Sequence, residues 1–181
     1  MDVKITPKKL CGKIMAKPSK SQAHRIIFAS ALSFGQTTTI RNVEFSKDIE
    51  ATVSCVSKFG VKCDYNEKAK TLHIDSKFKL SEDVTFDCNE SGSTLRFLLP
   101  VISALGIKAT FKGKGKLLQR PILDLTNCLN ENGAEIDGFI VNGKLKSGEY
   151  KITGSVSSQF ISGLLFALPL LEGDSTLEIT G

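Results

Sequence analysis

The chain of 181 residues is 41% hydrophobic and 24% charged, a composition typical of a globular protein that buries a core without disulfide bonds. Its net charge of +5, with no Trp and only 7% aromatic residues, argues against a base-stacking nucleic-acid surface and suits small anionic ligands. The longest apolar run, at 164–171, is far shorter than the roughly 20 residues of a membrane span. We therefore expect neither a membrane nor a nucleic-acid partner.

The five cysteines show no CxxC spacing, and an odd number favours reduced thiols in a cytosolic core. The N-terminus has neither an apolar signal core nor the character of a transit peptide. His24 and His73 have no further ligand at metal-binding spacing, so no metal site is predicted. These features predict a cytoplasmic protein.

The first elements follow KPSKSQAHR, at 17–25, a stretch rich in cations and hydroxyl groups. The apolar spacing after it predicts a helix over about 20–33 with Gly35 as its stop, and TTTIRNV predicts a strand. A second helix is predicted over about 48–59, followed by the strands VKCDY and TLHID. The predicted order is therefore helix, strand, helix, strand, strand.

The same order returns further along the chain. VTFDC precedes a helix that begins near ESGSTLR and stops at Gly106, and the pattern continues through IVNG. EYKITG precedes a third helix, which begins near SVSSQF and is followed by Gly173. This self-similarity predicts an α/β fold of repeated β-α-β-α-β-β units, about 16–80 and 84–148, with an incomplete third unit at 149–181.

A unit that stops after one helix and one strand predicts that the sequence is part of a longer protein. The alternative is an intact protein whose last unit has diverged, as terminal repeats often do.

Each of the three repeated helices begins with hydroxyl residues, and two of these starts also carry cations. If the units pack around a local threefold axis, the helix N-termini converge, and their unpaired N–H groups and positive dipole ends form an anion pocket. Lys20 supplies a point charge, Arg25 a planar fork for phosphate or carboxylate, and Gly92 a close backbone approach. Capping alone also explains Ser or Thr at a helix start. The candidate residues are Ser19, Lys20, Ser21, Arg25, Gly92, Ser93, Thr94, Arg96, Ser157, Ser158 and Gln159.

Arg120 and Asp48 are predicted at the starts of the second helices of their units. Arg120 opposes the helix dipole there, which an anionic ligand would offset, although a solvated surface Arg is the alternative. Asp48 agrees with the dipole and is expected to act as a cap. KGKGK, at 112–116, lacks the ending of a phosphate-binding loop and is predicted to be a solvated turn.

Four motifs, in order and spacing, closely resemble the EPSP synthase (3-phosphoshikimate 1-carboxyvinyltransferase) family: PSKSQAHR, ESGSTLRFLLP, RPILDL and GSVSSQFISGLLFALPLLEG. The resemblance covers essentially the whole chain, but only the N-terminal part of such an enzyme. It implies two domains of three units each around a pseudo-threefold axis, an inverse α/β prism. Residues 1–15 would be strands of the other domain, and 16–181 an incomplete N-terminal domain whose partner is the C-terminal domain.

The resemblance also implies the chemistry. Members transfer the enolpyruvyl group of phosphoenolpyruvate to the 5-hydroxyl of shikimate 3-phosphate and release phosphate, in chorismate and aromatic amino acid biosynthesis. They need no metal ion or organic cofactor, and the full-length protein is expected to be a monomer. The catalytic Asp and Glu lie in the C-terminal domain, so this part is expected to position substrates, neutralise their charge and be nearly inactive alone.

By motif position, the resemblance implies that Lys20 reaches both substrates and that Gln159 lies between them. Asp48 falls at an acidic position of the family, with a less secure role. The other shikimate 3-phosphate contacts are implied to be Ser21, Arg25, Ser157 and Ser158. The other phosphoenolpyruvate contacts are implied to be Gly92 and Arg120, with Ser93 and Thr94 as further candidates.

The motifs depart from the family at Glu90 and Ser91, where many members have Asn and Ala, and at KGKGKLLQRPI, which keeps Arg120. Two alternatives stay open. A UDP-N-acetylglucosamine enolpyruvyl transferase shares the fold but has Lys-Asn where SKS stands here. A basic RNA-binding module without catalysis would bind with a strong salt dependence.

Overall fold

In the computed structural model, residues 2–77, 79 and 83–181 are described, and helices alternate with strands in the predicted order. One-turn 3-10 helices span Leu117–Gln119 and Leu168–Leu170. The α-helices are α1 (Lys20–Leu32), α2 (Lys47–Ser57), α3 (Gly92–Leu105), α4 (Leu123–Glu131) and α5 (Ser158–Ala167). The strands are β1 (Thr37–Arg41), β2 (Lys62–Asn66), β3 (Thr71–Asp75), β4 (Asp83–Asp87), β5 (Lys108–Lys112), β6 (Ala134–Asp137), β7 (Ile140–Gly143), β8 (Glu149–Thr153) and β9 (Thr176–Thr180).

Within the described part of the chain, the strands form three sheets. The first has the order β1-β3-β2 and is antiparallel throughout. The second has the order β4-β5-β7-β6, in which β4 and β5 are parallel and the other pairs antiparallel. The third is the parallel pair β8-β9. The pairing β1-β3-β2 therefore recurs as β5-β7-β6, and the parallel pair β4-β5 recurs as β8-β9.

Helix α3 lies at the centre of the molecule, where it packs against the other four helices. It is apolar on every side, and its run from Phe97 to Ala104 is entirely buried, as expected for a helix enclosed by its neighbours. Gly106 ends it with a φ of 67°, a left-handed conformation that glycine adopts without strain. The outer strands alternate buried and exposed residues, so one face of each sheet covers the core.

The segment before α1 differs from the expectation for residues 1–15. Residues 2–19 form no strand, and the side chains of Val3, Ile5, Leu10, Ile14 and Met15 are at least 77% exposed. A strand needs a neighbouring strand to satisfy its N–H and C=O groups, and none of the three sheets pairs with this segment. The assignment of this segment to another domain stays a prediction.

Candidate functional site

The three repeated helix starts have the same local structure. Ser19, Ser91 and Ser157 are the N-caps of α1, α3 and α5, and each hydroxyl accepts a hydrogen bond from a backbone N–H two or three residues later. These serines adopt extended dihedral angles, as N-cap residues do. Capping therefore accounts for Ser157, whereas Ser21 and Ser158 are exposed just inside their helices.

Arg25 joins α1 to α5. Its Nε and Nη2 both donate to Ser162 Oγ, at 3.2 and 3.0 Å, and its Nη1 donates to the Ser21 carbonyl at 3.0 Å. The guanidinium also lies over the Phe97 ring of α3, 5.6 Å from the ring centre. These contacts hold the planar fork in one orientation while its partners are all uncharged, which leaves its charge available to an anion.

Arg96 and Gln159 join α3 to α5 in the same way. Arg96 Nη1 donates to Gln159 Oε1 at 2.8 Å, and Gln159 Nε2 donates to Ser93 Oγ at 2.8 Å. Arg96 Nη2 donates to the Pro121 carbonyl at 3.1 Å, and its guanidinium lies 5.4 Å from the centre of the Phe160 ring. Burial, and then the neighbouring charge of Arg120, lower the pKa of Arg96. Gln159, predicted to lie between two ligands, thus lies between two helix starts.

Gly92 is the point where two arginines approach the backbone. A Cβ on Gly92 would lie 2.6 Å from Arg120 Nη1 and 3.6 Å from Arg96 Nη1. The prediction that Arg120 starts a helix is wrong, because it is extended and α4 begins only at Leu123. The physical reason is Pro121, since the residue before a proline is disfavoured in the helical region. Arg120 is positioned by an extended segment and so reaches across to α3.

Lys20 and Asp48 face each other across the starts of α1 and α2. Their Nζ and Oδ2 atoms are 2.6 Å apart, in an ion pair that solvent reaches from both sides. Asp48 does not cap α2 as predicted, because Ser46 is the N-cap and Asp48 lies in the first turn. Ser46 and Lys20 share a cavity of about 280 Å³ with Phe45. Both charges thus remain accessible at an exposed helix junction.

Thr94 is placed differently from the other candidates. It is fully buried, and its hydroxyl lies 2.6 Å from Thr52 Oγ1 and 2.7 Å from Ser91 Oγ. Thr52 in turn lies 2.7 Å from His24 Nδ1. The Thr94 hydroxyl therefore faces the core and not the surface where the arginines meet.

The cations at this site have few anionic partners. Among the described residues, the ion pairs join Lys20 to Asp48, Lys77 to Asp75 and Lys151 to Glu178, and none includes Arg25, Arg96 or Arg120. Three guanidinium groups held only by neutral oxygens form a binding surface for phosphate or carboxylate groups. We call this surface the arginine site; it consists of Arg25, Arg96, Arg120, Gly92 and Gln159.

Two further searches of the described residues bear on the class of protein. No group of three or more His, Cys, Asp or Glu side chains is arranged to hold a metal ion. None of the helices in the described ranges is both long and apolar enough to cross a bilayer. KGKGK follows β5 as an exposed turn, as predicted.

The family model of EPSP synthase (3-phosphoshikimate 1-carboxyvinyltransferase) matches residues 5–181. The chain belongs to the EPSP synthase family. The predicted resemblance is thereby confirmed, and every motif that carries it lies inside the matched range.

Curated relatives agree with this family. The chain is 43% identical to the 3-phosphoshikimate 1-carboxyvinyltransferase of Clostridium kluyveri and 42% identical to that of Clostridium acetobutylicum, over 98% of its own length in both. It is 40% identical to that of Brachyspira hyodysenteriae, over 100% of its length. The chain spans only 43% to 44% of the length of these relatives.

A solved structure supports the same fold. EPSP synthase from Acinetobacter baumannii superposes with a TM-score of 0.78 at 24% identity, over 92% of this chain and 40% of that one. The predicted α/β fold is therefore confirmed for this member of the EPSP synthase family.

The structure also identifies residues of the site that the sequence patterns did not single out. Ser162 holds Arg25, and Phe97 and Phe160 lie beneath the two arginines of α1 and α3. A signal was present for Ser162, which lies one helical turn after Ser158 and so on the same helix face. No local pattern indicates that Phe97 and Phe160 carry cations, since buried aromatic residues are ordinary core residues.

Proposed function

We propose that this chain forms the part of a 3-phosphoshikimate 1-carboxyvinyltransferase that binds shikimate 3-phosphate and contributes to the phosphoenolpyruvate site. The complete enzyme joins C2 of phosphoenolpyruvate to the 5-hydroxyl oxygen of shikimate 3-phosphate and releases phosphate. The observation that carries this proposal is the arginine site, because both substrates are multiply charged anions and its arginines have no carboxylate partner among the described residues.

We assign shikimate 3-phosphate to the junction of α1 and α5. Arg25 supplies a bidentate donor that is already oriented by Ser162 and Phe97, so little side-chain entropy is lost when the ligand binds. Lys20 adds a mobile charge, and the exposed hydroxyls of Ser21 and Ser158 add donors nearby. Ser157 contributes through the helix start that it caps.

We assign phosphoenolpyruvate to the junction of α3 and the extended segment at Arg120. Gly92 leaves room for the Arg120 guanidinium beside the backbone of α3. Gln159 and Arg96 form one hydrogen-bonded pair, so a ligand that engages Arg96 also sets the Gln159 amide. Ser93 extends this pair, whereas Thr94 acts from the core. Asp48 sets the position of Lys20 between the two junctions.

The reaction also needs a proton for the methylene carbon of phosphoenolpyruvate and a base for the 5-hydroxyl. We assign these steps to the part of the enzyme that lies beyond the matched region of its relatives, brought in by domain closure. The chain described here supplies positioning and charge neutralisation, and needs no metal ion or organic cofactor for that role. We further propose a cytoplasmic, monomeric full-length enzyme without a nucleic-acid partner.

The test is calorimetric titration of the chain with shikimate 3-phosphate. Arg25→Ala is expected to weaken binding by about tenfold or more, because a hydrogen bond to a charged group contributes about 1.5–3 kcal/mol. Arg41→Ala is the matched control, since Arg41 is an exposed arginine on β1 away from the helix starts, and its affinity should not change.

Binding that Arg25→Ala leaves unchanged would contradict the site assignment. Titration with UDP-N-acetylglucosamine, or with RNA over a range of salt concentrations, tests the two alternative functions. Phosphate release from both substrates should be negligible with this chain alone, and turnover at ordinary enzymatic rates would contradict the proposed division of labour.

A further inference from the structure

A line of hydrogen-bonded polar side chains crosses the core between α1, α2 and α3. His24 Nδ1 lies 2.7 Å from Thr52 Oγ1, which lies 2.6 Å from Thr94 Oγ1, which lies 2.7 Å from Ser91 Oγ. All four residues are at most 1% exposed. A hydrophobic core has no need of such a line, because burying polar groups stabilises a fold less than packing apolar side chains of the same shape.

The direction of these hydrogen bonds follows from counting protons. Thr94 donates its one hydroxyl proton to Ser91 Oγ, so Thr52 donates across the 2.6 Å contact to Thr94. The Asp48 carbonyl, at 3.2 Å, is the weaker acceptor for the Thr52 proton. Thr52 can then only accept from His24, which carries its proton on Nδ1. This is the opposite of the tautomer that predominates for histidine in water.

The other ring nitrogen makes this arrangement costly. His24 Nε2 is buried and has no hydrogen-bond partner among the described residues. An unsatisfied buried polar atom lowers stability, so the histidine is kept at this position at some expense to the fold. The charged groups that act on the ring are Asp48, Lys20 and Arg25, which are all residues of the site.

The line touches each of the three helices close to a site residue. His24 directly precedes Arg25 and lies four residues after Lys20, Thr52 lies four residues after Asp48, and Thr94 lies two residues after Gly92. Four residues is about one helical turn, so a shift of any link moves a neighbouring site residue by a similar amount.

We propose that His24, Thr52 and Thr94 form a positioning network that sets the spacing between Lys20–Asp48 on one side and Gly92 on the other. The inference rests on the proposed function, because it assigns the network to the substrates named there. These three residues are positioning residues and touch no substrate. The network acts by holding the first turns of α1, α2 and α3 in one arrangement.

The first test is spectroscopic and needs no ligand. Correlation of ring protons with ring nitrogens by NMR, in the ¹⁵N-labelled chain near neutral pH, should show His24 as a single tautomer protonated on Nδ1. His73, on an exposed strand, provides the only other histidine signal. Thr52→Val should remove this preference. Nε2-protonated His24 in the unsubstituted chain would overturn the network.

The second test measures affinity for shikimate 3-phosphate by calorimetry. Thr52→Val should weaken binding by about tenfold, since small displacements of positioned groups have large effects, and Thr52→Ser should restore it. Ser103→Ala is the matched control, because it also removes a buried hydroxyl, on α3, that bonds only to the Leu99 carbonyl. If Thr52→Val does not fold, Thr94→Val replaces it.

The two tests separate the inference from the proposed function. An Nδ1-protonated His24 with affinity that changes less than about twofold in Thr52→Val would overturn the positioning role and leave the proposed function standing. Equal losses in Thr52→Val and Ser103→Ala would reduce the line to a contribution to stability, which also overturns the role. A chain that binds no shikimate 3-phosphate would overturn the proposed function and, with it, this role.

Discussion

Arg25, Arg96 and Arg120 reach the site from different local structures, yet their guanidinium groups share one chemical condition. Arg25 bonds to a hydroxyl and a carbonyl, Arg96 to an amide and a carbonyl, and Arg120 lies against the backbone at Gly92. Neutral acceptors orient a cation without neutralising it. A bound phosphate would therefore gain most of the electrostatic attraction that a structural ion pair would otherwise consume.

His24 makes stability depend on pH. Burial, partly opposed by Asp48, lowers the pKa of His24 from 6.5 to about 4. Between these values the unfolded chain binds a proton that the folded chain does not, so the free energy of unfolding falls as the pH falls. The full effect is about 3 kcal/mol, present above pH 6.5 and lost by about pH 4.

Urea unfolding of the wild type and His24→Asn at about pH 7 and about pH 4.5 measures this effect. Asn retains a polar group for Thr52 but does not titrate, so the variant should lose less stability on acidification. Carboxylate groups titrate equally in both proteins and cancel in the comparison. Equal losses in the two proteins would show that His24 is not held neutral.

At the scale of elements, the close packing of α3 and α5 determines the geometry of the arginine site. Gly163 allows this approach, because a Cβ at that position would collide with the Arg96 carbonyl and lie 3.0 Å from Pro100 Cγ. The same two helices carry the Arg96–Gln159 and Gln159–Ser93 hydrogen bonds. The distance between the helices thus sets whether these side chains meet.

Gly163→Ala should separate α3 from α5 and lower the free energy of unfolding by about 2 kcal/mol, since the obstructing atoms belong to the backbone and cannot rotate away. Urea denaturation measures the loss. Leu165→Ala, on the exposed side of the same helix, should stay within about 0.5 kcal/mol of the wild type. Comparable stability of the glycine variant would mean that α5 shifts without cost.

At the scale of the whole molecule, the core extends from α1 to β8 and excludes the segment that precedes α1. Core residues come from all five helices and from strands of each sheet. Residues 2–15 contribute none of them, and their apolar side chains are exposed. Burial and not chain length determines how much a segment stabilises a fold.

Removal of residues 2–15 should therefore change the melting temperature by less than about 2 °C, as expected for exposed residues that contribute little to the unfolding enthalpy. Thermal unfolding followed by circular dichroism measures it, with Ile152→Ala, a core substitution on β8, as the destabilised reference. A large drop in melting temperature on truncation would show that the segment packs against the core in solution.

Helices and strands were predictable because their signals are local. The apolar spacing after Ser19, the run of apolar residues in α3 and the alternation in β4 each indicate an element within a few residues. The prediction that Arg120 begins a helix was wrong by three residues, because Pro121 and the 3-10 turn before it end one segment before α4 starts. Element boundaries depend on such competing local preferences.

The sequence by itself determined the order of elements, the capped helix starts and the family, because these depend on neighbouring residues and on motifs in fixed order. Only the tertiary structure decided which side chains meet. Arg25 and Ser162 are 137 residues apart in the chain, and Arg96 and Gln159 are 63 apart. Such pairs form when whole helices pack, and the sequence around either partner carries no record of the other. The same packing moved Thr94 from a candidate ligand contact to a buried link between α2 and α3.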